Sequence, residues 1–182
     1  NYFNPVLEKN GELVKGKGFI TDDLTNHGIE FIKKNKNNPF FLFMPFNTPH
    51  SPMQVPDKYW NKFKNKDLTQ KGTLSNIPDD KYSGTNSKGE NHSKAALAMC
   101  ENIDWNVGRI IETLESQKII DNTIIIYLSD NGPNGHRWNG GMKGIKGSTD
   151  EGGTRSPMII SWKGNIPSGK KVSKIASGID LL

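Results

Sequence analysis

The sequence predicts an α/β domain with a mostly parallel sheet flanked by helices. Two observations carry this reading. Helix- and strand-like segments follow one another in the order helix, strand, helix, strand, loop, strand, the pattern of α/β domains. Two short runs, Phe40-Phe41-Leu42-Phe43-Met44 and Thr123-Ile124-Ile125-Ile126-Tyr127-Leu128, are apolar throughout rather than alternating, as strands covered on both faces are.

Residues 1–20 are polar and rich in Gly and Lys, a loop or short hairpin. A helix is expected over about 21–34, with Thr21 as its cap and Asp22 and Asp23 at the positive end of its dipole. Leu24, Ile29, Phe31 and Ile32 supply its apolar contacts, and Pro39 confirms its end. The strand at 40–44 leads into a proline-rich loop over 45–56. Residues 57–92 are polar and irregular: a short helix near Asp57–Phe63, then a long surface excursion. The clearest helix runs over about 93–118, with Ala96, Cys100, Ile103, Val107, Ile110, Ile111 and Leu114 at helical spacing. After a turn at Asp121-Asn122 comes the β-branched run at 123–128, expected to be a buried strand. A Gly-rich loop over 130–153 follows, then a strand at 157–162.

The 182 residues suffice for one domain with a core of its own. No apolar run approaches the ~20 residues of a membrane helix. Net charge is +5, from 24 Lys and Arg against 19 Asp and Glu. The lysines are scattered, without a basic helix or interleaved aromatics, so the chain carries no nucleic-acid motif. The single cysteine, Cys100, excludes an internal disulfide; its place in the helical stripe assigns it to the core. No signal pattern opens the chain. Both ends read as cut, with a helix starting at Ile179-Asp180-Leu181-Leu182.

In sheets of this kind, sites form at the carboxyl ends of strands, and three constellations sit there. Ser129-Asp130-Asn131-Gly132 places two hard oxygen donors, suited to Ca²⁺ or Mg²⁺, directly after a strand. Asp-Asn-Gly is also strong turn chemistry, and two residues do not fill a Ca²⁺ shell of 6–8 oxygens. Asn47-Thr48-Pro49-His50-Ser51-Pro52 fixes one histidine between two prolines, as a positioned acid or anion donor would be; an ordinary loop histidine is the alternative. The run from Lys143 to Arg155 combines glycines, which let a backbone approach a ligand, with Lys143 and Lys146, point charges for an anionic oxygen. It also reads as a flexible loop, and its spacing is not that of a Walker phosphate loop. Taken together, the three describe a metal, a histidine and a lysine around a tetrahedral oxyanion.

These same segments, Phe46 to Pro52, Ser129 to Gly132 and Lys146 to Pro157, resemble consecutive landmarks of the type I sulfatases, which use formylglycine and belong to the alkaline-phosphatase-like superfamily. Glu101-Asn102-Ile103-Asp104 with Val107-Gly108-Arg109 resembles the family's helix before its Asp-Asn strand. The resemblance covers about residue 19 to the end. It implies an alkaline-phosphatase-like fold, incomplete because its N-terminal part is missing, with 1–182 as one partial catalytic domain. It implies Asp130 and Asn131 as ligands of Ca²⁺, ahead of Mg²⁺. His50 would donate to the leaving group and Lys146 would contact the sulfate. Lys143 is a weaker substitute, His136 and Arg137 would face substrate, and Glu151 and Arg155 would be structural.

The family's nucleophile is a formylglycine made from Cys or Ser in a Cys/Ser-x-Pro/Ala-x-Arg motif, and no such motif occurs here. Its upstream aspartate pair is missing too; Asp22-Asp23 opens a helix and is rejected as a stand-in. The chain is therefore expected to be a fragment, inactive alone, of an enzyme that hydrolyses sulfate esters of a small molecule or polysaccharide, periplasmic or secreted. A phosphodiester or phosphonate hydrolase of the superfamily and a non-catalytic relative that binds anionic glycans are the alternatives.

Overall fold

The computed structural model describes residues 1–68, 89–134 and 137–181. The chain opens with a hairpin, β1 (Val6–Lys9) and β2 (Glu12–Lys15), paired antiparallel with Lys9 opposite Glu12. The two residues between, Asn10 and Gly11, have φ of 55° and 88°. Such a left-handed pair gives a two-residue turn the twist its strands need. Before the hairpin, the backbone at Tyr2–Asn4 runs beside Gly18–Ile20. Asn4 N–H donates to Gly18 O at 2.8 Å and Ile20 N–H to Tyr2 O at 2.9 Å. Tyr2 is thereby seated at the start of the first long helix.

That helix, α1, is Ile20–Asn35. The expected cap is not used: Phe19 precedes the helix without a side-chain cap bond. Thr21 lies inside the first turn, and its hydroxyl is 2.9 Å from that of Thr48. Helix α2 is Asp57–Phe63, and α3 is Gly89–Ser116. Both α1 and α2 lie against α3. Tyr2, Phe19, Ile20 and Met99 form the core cluster, with Leu7, Leu24, Met53 and Val55 packed against it.

The buried stripe of α3 keeps Ala96, Ile103 and Leu114 of the apolar positions read from the sequence and extends beyond them. It runs through Ala95, Ala98, Met99, Asn102, Asn106 and Thr113, at the spacing of one helix face. Cys100, expected in the core, is exposed, because one residue past Met99 turns it about 100° away. Two asparagines lie inside with their amide N–H groups paired to α1, while Asn102 Oδ1 has no partner among the described residues. Asp22 Oδ1 accepts from Asn102 Nδ2 and from Asn106 Nδ2, each at 2.7 Å. Asp22 is thus a tie between helices. Asp22→Ala is expected to cost about 2–4 kcal/mol, since it strips the acceptor from two buried amides. The shift in urea midpoint at unchanged slope measures it.

Strand β3 is Ile125–Leu128 and β4 is Met158–Ser161; they pair antiparallel, Leu128 opposite Met158. The α/β class stands, but both strand pairs among the described residues are antiparallel, where a largely parallel sheet was expected. Two further expectations are corrected. Residues 40–44 form no strand, because a strand needs a hydrogen-bonded neighbour and none flanks this segment among the described residues. Its side chains still alternate. Leu42 and Met44 turn inward onto α1 at Gly28, where an added Cβ would lie 2.8 Å from Met44 Sδ, while Phe41 and Phe43 are exposed. The run at 123–128, expected to be buried, exposes Ile124, Ile126, Tyr127 and Leu128, although Tyr127 lies within electrostatic reach of Cys100 and Asp104 on α3. The expected helix start at 179 is a 3-10 turn, Gly178–Leu181. Of the expected surface excursion, α2 and the start of α3 are seen; 69–88 lies outside the described residues.

Candidate active site

Strand β3 delivers Ser129-Asp130-Asn131-Gly132 at its carboxyl end, and β4 holds the exit in place. Ser129 N–H donates to Pro157 O at 3.2 Å, and Ser156 Oγ–H to Ser129 O at 2.7 Å. Beyond that point three backbone segments are braided together. Gly132 N–H donates to Gly153 O at 2.9 Å, Lys146 N–H to Pro133 O at 2.9 Å, and Gly152 N–H to Lys143 O at 2.7 Å. Asn139 Nδ2 closes the loop between them on Met142 O at 2.8 Å and Gly144 O at 3.1 Å. Glycine is required where the strands of the braid touch. A Cβ at Gly132 would overlap Gly152 O, and one at Gly152 would lie 2.6 Å from Lys143 O.

The braid brings Asp130, Asn131 and Lys146 onto one framework. Asp130 is exposed, with no hydrogen bond or ion pair among the described residues. Asn131 spends its amide N–H on Gly132 O at 2.8 Å, which leaves its oxygen as the group to offer. A carboxylate and an amide oxygen on adjacent residues fit a Ca²⁺ ion as part of its shell of 6–8 oxygens. No group of three acidic, histidine or cysteine side chains completes that shell among the described residues.

Lys146 is exposed and its backbone is pinned, whereas Lys143 Nζ is engaged by Asp150 Oδ1 at 3.1 Å. Glu151 and Arg155 pair across the short helix α4 (Glu151–Thr154), Nη1 to Oε1 at 3.9 Å. Arg137 is half-buried, its Nη2 2.6 Å from Nδ1 of His92 on α3. His136 lies outside the described residues.

His50 sits on a different loop, and no hydrogen bond or ion pair between that loop and the braid appears among the described residues. Its own geometry is well defined. His50 N–H donates to Asn47 O at 3.1 Å, and its Nδ1 is 3.0 Å from Ser51 O. A carbonyl only accepts, so this contact is a hydrogen bond when Nδ1 carries the proton. The loop closes around Tyr2, whose hydroxyl lies 3.2 Å from Asn47 O, 3.2 Å from His50 O and 3.1 Å from Ser51 O. Tyr2 N–H donates to Gln54 Oε1 at 2.8 Å. Burial raises the Tyr2 phenol above its ordinary pKa, keeping it a donor. Sequence reading missed Tyr2, which lies 45 to 49 residues from the loop it holds.

Comparison with known proteins places this framework. The sulfatase family model matches residues 2–182. The chain belongs to the sulfatase family. It is 34% identical to the uncharacterized sulfatase YdeN of Escherichia coli K12 over 98% of its length, and 30% identical to an N-acetylgalactosamine-6-O-sulfatase of Bacteroides thetaiotaomicron over 89%. It spans 29% of the length of each. Among solved structures, Ps i-CgsB in complex with a neocarrahexaose matches 97% of the chain and is covered over 35% of its own, with 34% identity and a TM-score of 0.78.

Membership of the sulfatase family sharpens the question of the nucleophile. The 182 residues contain no Cys/Ser-x-Pro/Ala-x-Arg motif. Cys100 is no substitute. It is exposed by area, yet its neighbours crowd it enough that desolvation pushes its thiol pKa up, with Arg137 opposing. A raised pKa lowers the thiolate fraction, and the thiolate is the nucleophile.

Proposed function

We propose that this chain forms the sulfate-binding and leaving-group side of the active site of a metal-dependent sulfuric ester hydrolase, acting on a sulfated carbohydrate. The observation that carries the reading is the glycine braid, which holds Asp130, Asn131 and Lys146 together in a chain of the sulfatase family. Lys146 would place its ammonium on an oxygen of the sulfate, where charge grows as the ester bond breaks. His50, protonated on Nε2, would donate to the leaving oxygen, so that the alcohol departs neutral. Asp130 and Asn131 would contribute two oxygens to a Ca²⁺ ion, ahead of Mg²⁺. Such an ion neutralises charge on the transferring group when bound. A formylglycine nucleophile would come from outside these residues. Glu151 and Arg155 brace the loop, and His136 and Arg137 are kept as weaker substrate-facing candidates.

Carbohydrate is favoured by two of the relatives. One is named for the 6-sulfate of N-acetylgalactosamine, and the other was solved with a neocarrahexaose. A polymeric substrate of this kind places the enzyme in the periplasm or outside the cell. No helix among the described residues is long and apolar enough to cross a membrane.

The test assays the full-length protein on sulfated oligosaccharides, 4-nitrophenyl sulfate and bis(4-nitrophenyl) phosphate, following released sulfate and phenol. Sulfate ester turnover exceeding phosphodiester turnover is expected. A preference for the phosphodiester, or glycan binding with no sulfate released, would overturn the reading.

A further inference from the structure

We propose that Tyr2 is a positioning residue for His50, fixing its tautomer through the carbonyl oxygen they share at Ser51. The inference rests on the role given to His50 above and extends it to a residue at the far end of the chain. Ser51 O is the meeting point: the Tyr2 hydroxyl lies 3.1 Å from it, the shortest of its three carbonyl contacts, and His50 Nδ1 lies 3.0 Å from it. A carbonyl oxygen has two lone pairs and no proton, so it accepts from both at once. Nδ1 then keeps its proton in both the doubly protonated and the neutral ring, so the proton given to the leaving oxygen is the one on Nε2, which faces substrate. Second partners of this kind commonly set which ring nitrogen is protonated.

The rest of the clamp fixes the carbonyl itself. Tyr2 O–H also lies 3.2 Å from Asn47 O and His50 O, so the turn bends its carbonyls toward one buried phenol. Tyr2 is held in turn: its ring meets that of Phe19 edge-on at 6.1 Å, and its N–H reaches Gln54 beyond the loop at 2.8 Å. Thr21 secures the loop from α1 through Thr48. The imidazole, by contrast, is exposed. Its orientation therefore comes from the loop beneath it and not from packing around the ring.

Tyr2→Phe removes the hydroxyl and keeps the ring, so it separates positioning from core packing. In the full-length protein, two readouts are taken beside His50→Gln. The first is the ring ¹⁵N spectrum of the histidine-labelled protein, with His50 assigned by its loss in His50→Gln. The Nδ1–H form is expected to dominate in the parent protein and to give way to a mixture in Tyr2→Phe. The second is kcat/KM over aryl sulfates of rising leaving-group pKa. General acid catalysis contributes ~10²–10⁴-fold, so a partial loss of about tenfold is expected in Tyr2→Phe for the poorest leaving group, with little change for 4-nitrophenol. An unchanged tautomer, or an equal loss across all leaving groups, overturns the inference. If His50→Gln shows no leaving-group dependence, the acid role of His50 has failed, and the tautomer spectrum reports on the Tyr2 clamp separately.

Discussion

Lys146→Ala is expected to lower turnover of a sulfate ester by about 10²–10³-fold, the usual effect of deleting one group that stabilises charge in a transition state. The structure makes this a discriminating experiment, because two lysines of the same loop have different surroundings. Lys143 is already paired with Asp150 at 3.1 Å. Lys146 has no such partner among the described residues, and its N–H is fixed to Pro133 O at 2.9 Å, next to the segment that carries Asp130 and Asn131. Lys143→Ala should therefore leave turnover within a few-fold of the parent protein, as removal of an exposed ion pair, worth ~0–1 kcal/mol, would. Lys146→Arg should recover only part of the loss, since a planar fork does not replace a compact point charge. Equal losses for the two alanine variants would refute the assignment.

Gly152→Ala should be nearly as damaging by a different route. Its Cβ would lie 2.6 Å from Lys143 O and from Asn139 Nδ2, and closer still to Gly144 O. The carbonyls have nowhere to go, because Gly152 N–H is bonded to Lys143 O and Asn139 holds Gly144 O. Overpacking of this kind costs ~1–3 kcal/mol, and here it is relieved by opening the braid. A displacement of about 1 Å at a catalytic group can cost ~10²-fold in rate. Activity should fall on that scale. Hydrogen exchange should rise over 130–155 and stay unchanged in α1, which lies against α3; α3 itself meets this loop where His92 contacts Arg137. Full activity in this variant would show that the close approach of the three segments is not needed.

The sequence made the local elements legible and left their neighbours obscure. Helix α2 was read at its observed bounds, because prolines and polar residues punctuate it. Strands β3 and β4 were visible as β-branched runs. Their pairing direction was not, since it depends on contacts 30 to 36 residues apart. The segment at 40–44 shows the same limit: its side chains alternate as a strand's do, yet strand formation is a property of a pair. The buried face of α3 was read too narrowly: Ala96, Ile103 and Leu114 are buried as expected, but Asn102 and Asn106 look like surface residues until Asp22 is brought beside them from 80 residues away. In the candidate site, residue type and order singled out Asp130, Asn131 and Lys146, and backbone hydrogen bonds join the segments that carry them. The glycines that braid them were read as room for a ligand or as a flexible loop, not as contact points between backbone segments, and Tyr2 left no sign, since its role lies in a hydroxyl that reaches carbonyls contributed by another segment.

The central claim is that this chain works as part of a formylglycine-dependent sulfatase. The direct test is a peptide map, by mass spectrometry, of the native full-length protein that contains it. A Cys/Ser-x-Pro/Ala-x-Arg peptide carrying formylglycine at its first position is the expected result. A native protein in which that motif is absent, or present and unmodified, would contradict the account.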